Sequence, residues 1–170
     1  MTKIFTKYTL IISITTFLFS ACELISGDSD DDNSNTTVDK LHVKFINTEG
    51  SEFTISSIQI LVMGVAGELN GPDGEFSDNI LSEGTTIAPG NHYIFDFEIP
   101  NSYYSYARLG VINSENNQII LNEQEGYTNQ YEGTITHWGG DDRTVNVTLI
   151  ENKTTGLIMV RSWGEWAGIE

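Results

Sequence analysis

Asp96 and Glu98 are the residues whose type and spacing come nearest to catalysis. On a strand they stand at i and i+2, on one face and roughly 6–7 Å apart. Glycoside hydrolysis needs two carboxyl groups about 5–9.5 Å apart, one to protonate the leaving oxygen and one to attack or to activate water. The pair therefore allows a glycan-acting hydrolase. A solvent-facing strand produces the same alternation, and this plainer origin is preferred. Metal chemistry has two sets of candidates. His42, His92 and His137 fall on separate segments without the spacing of a zinc site. Asp73, Glu75, Asp78 and Asn79 share one Gly-rich loop and offer the hard oxygens that Ca²⁺ takes. They do not follow the EF-hand pattern, so a solvated acidic loop is the default and a calcium-stabilised domain the alternative. Asp141-Asp142 reads more simply as turn chemistry. Nucleophile motifs such as Gly-x-Ser-x-Gly, Ser-x-x-Lys and His-Glu-x-x-His are absent. Trp138, Trp163 and Trp166 are the ligand-binding candidates, with Tyr103, Tyr104 and Tyr106 marking one strand start. Exposed rings of this kind stack on sugars or anchor a protein partner, and buried ones cap the ends of a sheet.

The elements that must position these residues read as strands. Leu41, Val43 and Phe45 alternate with His42 and Lys44. Tyr93, Phe95, Phe97 and Ile99 point one way, and His92, Ile94, Asp96 and Glu98 the other. Val145, Val147 and Leu149 alternate with Thr144, Asn146 and Thr148. Phe53 to Met63 is apolar on both faces toward its end and reads as a central, doubly covered strand. Tyr104–Asn113 and Gln118–Glu123 flank a turn at 114–117, which predicts a hairpin. Tyr131–His137 and Arg143–Ile150 flank Trp138-Gly139-Gly140-Asp141-Asp142, which predicts a second. About eight or nine short strands and no convincing helix predict an all-β antiparallel sandwich, Ig-like or transthyretin-like, with a β-barrel as the alternative.

Charge and the N-terminus bound the setting. The 170-residue chain carries a formal net charge of −16. Such a chain is repelled by phosphate backbones, so a nucleic-acid partner is not expected. Lys3 and Lys7 precede an apolar stretch from Tyr8 to Phe19, and Ser20-Ala21 follow. This is the pattern of a secretory signal over residues 1–21. It is too short for a spanning helix, which takes about 20 apolar residues. Cys22, the single cysteine, closes it at Phe19-Ser20-Ala21-Cys22. The segment resembles a bacterial lipoprotein signal, with Phe19 where the usual box prefers Leu. The resemblance implies that Cys22 carries diacylglycerol and an amide-linked chain, an anchor stable without any transmembrane helix. Residues 22–40 are then an acidic tether, too polar to bury itself, with a flexible-coil span of about 23 Å. Within it, Ser29-Asp30-Asp31-Asp32 resembles the export signal of surface-exposed lipoproteins of the Bacteroidetes.

Residues 41–170 form one domain of about 130 residues, enough for a single core. Asn47, Gly50 and Ile58, then Asp78-Asn79-Ile80-Leu81, then Thr86-Ile87-Ala88-Pro89-Gly90, resemble a recurring small bacterial β-sandwich pattern. The likeness covers residues 41–123 and implies a fold without an activity. The expected protein is lipid-anchored in the outer membrane and faces the cell exterior. It is a non-catalytic binding or accessory module without a resident cofactor, meeting a protein or glycan partner there.

Overall fold

The computed structural model describes residues 39–65 and 75–169. Cys22, the Ser29–Asp32 run and Asp73 lie outside them. Eight strands are present among the described residues: β1 (Lys40–Asn47), β2 (Thr54–Val65), β3 (His92–Glu98), β4 (Tyr103–Ile112), β5 (Gln118–Ile120), β6 (Gly133–Thr136), β7 (Asp142–Glu151) and β8 (Ile158–Ala167). A single 3₁₀ turn, Leu121–Glu123, follows β5. The strands make two open sheets, one in the order β3-β1-β7-β8 and one built on β4. In the second sheet β2 lies along one edge of β4, and β5 and β6 share the other. The molecule is the expected all-β sandwich, and neither sheet closes into a barrel. One ladder departs from the antiparallel expectation, because β1 and β7 run parallel.

The alternation read from sequence decides which faces meet. Leu41, Val43 and Phe45 of β1, Ala107, Leu109 and Val111 of β4, and Val145, Val147 and Leu149 of β7 all have no exposed surface. Ile55, Ile58, Ile99, Leu121 and Ile135 complete a continuous core between the sheets. Full burial of each such side chain contributes about 1.5–3 kcal/mol relative to exposure. Thr144, expected to face water, is itself 1% exposed. It sits in register with Trp166, and its hydroxyl donates to the Gly168 carbonyl at 2.7 Å.

Two expectations about connectivity are corrected. β2 is an edge strand, and β4 is the interior one. The free edge of β2 is covered by side chains of the segment that follows. Asn79 Oδ1 accepts from the Ile58 N–H at 3.0 Å, and Ser77 Oγ from the Ile60 N–H at 3.0 Å. Backbone bonds from Ser77 N to Ile60 O and from Ile80 N to Ile58 O alternate with them. The second predicted hairpin is instead an arch. β6 pairs with β4 in one sheet, while β7 pairs with β1 and β8 in the other. Arg143, 3% exposed, holds this arch from inside. It donates to the carbonyls of Thr136, Asp142 and Trp138 and lies 3.4 Å from the Glu165 carboxylate.

The residues behind the small β-sandwich resemblance are structural clasps. Asn47 is fully buried, and its amide donates to Phe53 O at 2.9 Å and Ile87 O at 2.8 Å. Gly90, at φ +81°, turns the chain so that its N–H reaches Asn47 O at 2.8 Å.

Candidate ligand-binding face

The sequence-derived candidates are dispersed over the fold. Asp96 and Glu98 are both exposed on the outer face of β3, an edge strand. They stand side by side along one strand rather than facing each other across a cleft. Asp96 Oδ1 is 2.5 Å from His42 Nδ1, and Glu98 is in register with Lys40. The hydrogen bond and charge of Asp96 raise the His42 imidazole above its ordinary pKa. The histidines do not converge. His42 and His92 lie on the outer face of the first sheet, while His137 is fully buried with Nδ1 donating to Ile99 O at 2.7 Å. Among the described residues no three His, Cys, Asp or Glu side chains gather at a metal-sized point. Asn79 is removed from the calcium set, since Oδ1 accepts from two backbone N–H groups, Ile58 and Leu81. Glu75 and Asp78 are exposed.

The three tryptophans are likewise not brought together. Trp163 is corrected from ligand candidate to packing residue. Its ring covers Gly133, where a Cβ would overlap the indole, and meets Phe45 edge-on at 5.6 Å and 71°. Its N–H donates to Thr134 O at 3.0 Å, so its polar atom is committed too. Trp166, three residues along an extended strand, points to the opposite face and is 38% exposed. Trp138 is 59% exposed at the arch between β6 and β7.

A group that sequence reasoning only partly marked assembles on the outer face of the second sheet. Tyr104, Tyr106 and Arg108 project outward from β4, because Ser105, Ala107 and Leu109 project inward. Tyr104 meets Tyr106 edge-on, with centroids 5.5 Å apart at 73°. Tyr131, just before β6, lies flat on Tyr106 at 3.6 Å and 13°. The neighbouring Tyr131 hydroxyl, then burial and the Tyr104 hydroxyl, push the Tyr106 phenol above its ordinary pKa. Arg108 stands over the Phe76 ring, its Cζ 3.9 Å from the centroid. That position permits a cation–π interaction.

Glu132 occupies a gap in the sheet. β6 ends its pairing at Ala107 and β5 begins at Gly110, leaving the Leu109 N–H without a strand partner. Glu132 Oε2 accepts that N–H at 3.0 Å, in place of a strand carbonyl. Among the described residues its other oxygen, Oε1, is buried without a partner, and so is Nε of Arg108. Burial pushes the Glu132 carboxyl up to about 7, against the opposing pull of the Leu109 N–H and the Arg108 charge. Burial is also the main cause that lifts the Tyr127 phenol to about 12, with the Glu132 charge adding to it. An open depression of about 480 Å³ lies against this group, lined by Thr128, Asn129, Gln130, Tyr131 and Glu132.

The grouping sets aromatic faces, the Glu132 carboxyl and the Arg108 guanidinium beside amide and hydroxyl side chains at the rim. It can stack on a ring and hydrogen-bond to its substituents. Tyr104 and Tyr106 were visible in sequence. Tyr131 and Glu132 were not linked to them, since they are about 25 residues away and meet them only through the β4–β6 pairing. No protein-family model, curated protein or solved structure matches the chain.

Proposed function

We propose that this chain is a lipid-anchored outer-membrane protein displayed toward the cell exterior, where its sandwich acts as a non-catalytic binding module. One observation carries the binding reading: the Tyr104, Tyr106 and Tyr131 rings gather on the outer sheet face against the open depression lined by Thr128 to Glu132. Anchoring is supported by the Lys3–Cys22 signal pattern, and outward display by Ser29-Asp30-Asp31-Asp32.

The test follows the chain in cells. A clickable palmitate analogue should label the protein, and Cys22→Ser should abolish labelling. Added protease should digest the domain on intact cells. Alanine at Asp30, Asp31 and Asp32 together should protect it while labelling persists. Labelling that survives Cys22→Ser removes the anchor, and unchanged digestion of the triple variant removes the role of the acidic run. Crosslinking on intact envelopes and a glycan array test the module itself. No partner in either would leave the binding reading without support.

A further inference from the structure

We infer that the face formed by Tyr104, Tyr106 and Tyr131, with Glu132 and Arg108 beside it, binds a neutral saccharide. The inference rests on the binding-module reading and names the ligand class of that same face. An apolar chain, a quaternary ammonium and an anion each fit this face poorly. An acyl chain or an apolar peptide anchor needs an apolar pocket. The 480 Å³ depression is lined by Thr128, Asn129, Gln130 and Glu132 around Tyr131, whose ring is its one large apolar surface. A quaternary ammonium needs rings set around a space. Tyr106 and Tyr131 instead lie flat on each other with centroids 3.6 Å apart, and the Arg108 charge stands next along β4. An anion would meet the Glu132 carboxyl and a chain of net charge −16.

A neutral sugar meets none of these objections. The C–H face of a pyranose stacks on an aromatic ring, while its hydroxyls radiate at the rim. Each hydroxyl both donates and accepts. The surrounding groups do likewise: the amides of Asn129 and Gln130, the hydroxyl of Thr128 and the tyrosine phenols. Tyr131 keeps 36% of its surface exposed, so the stack with Tyr106 still leaves ring for a ligand. The depression falls in the size range of small-ligand sites, about 300–1,000 Å³.

The lipidated protein in detergent should be titrated calorimetrically with cellohexaose, xylohexaose, mannohexaose and maltohexaose, and screened on a glycan array. Trigalacturonate and choline serve as charged comparisons. At least one neutral glycan should bind. Tyr131→Ala should weaken that binding about tenfold, the loss of one aromatic contact, with the melting temperature held. Tyr131→Trp should retain it, and Ile94→Ala, at an exposed position on β3 of the other sheet, should leave it unchanged. Binding that survives Tyr131→Ala, or preference for trigalacturonate or choline, overturns the inference. So does a silent array. If the array is silent while envelope crosslinking from position 131 captures a protein, the saccharide class fails and the binding module stands. If both are silent, both fail.

Discussion

Glu132 carries the clearest solution signature. Burial disfavours its charge and pushes its carboxyl up to about 7 in the folded chain, against 4.5 as the unperturbed value. Between those values the folded state binds the extra proton. Stability therefore falls as pH rises through that window, and the cost is fully present above about pH 7. It amounts to roughly 3 kcal/mol or less. Glu132→Gln keeps an oxygen for the Leu109 N–H and removes the charge. It should raise the melting temperature at pH 8 and flatten the fall between pH 5 and 7, which calorimetric scans across pH would read. An unaltered slope in the variant would place the titrating group elsewhere. Other residues announced themselves in sequence for a different reason from the one that matters. Asn79 looked like an oxygen ligand and spends its oxygen on two backbone N–H groups. Trp163 looked like a binding aromatic and fills the space above Gly133.

At the scale of elements, period-two alternation was legible wherever one face is buried and the other wet, as in β1, β3 and β7. Partner choice was less legible. A five-residue turn-rich segment such as 138–142 can close a hairpin or cross between sheets. What decides is Arg143, whose guanidinium reaches three arch carbonyls from within the core. The apolar outer face of β2 suggested an interior strand because sequence does not show that Ser77 and Asn79 return to cover its edge. The tyrosine face was hidden for the same reason, as it needs the β4–β6 ladder to exist. Covering by side chains gives the edge a specific vulnerability. Ser77→Ala with Asn79→Ala uncovers the N–H groups of Ile58 and Ile60, and open edges template association with other chains. The double variant should scatter light on mild warming at concentrations where the parent stays clear. Equal scattering would mean that the edge is protected by other means.

At the scale of the molecule, the first strand among the described residues is an interior one. β1 is bonded along β3 on one side and along β7 on the other, and the chain enters it at Asp39. That placement determines how the domain carries load. Under the anchoring proposed above, a grip on the outer sheet face would put the domain under tension, and the tension would enter along the axis of β1. Drawing β1 out lengthwise shears two ladders at once, whereas tension entering at the end of β8 shears only its ladder with β7. Pulled in an optical trap against a handle on the β4–β5 turn at Asn116, the domain should yield at higher force from the N-terminal side than from residue 169. Equal forces would mean that the ladders do not set the mechanical limit. A domain entered at Asp39 through an interior strand is built to hold while pulled.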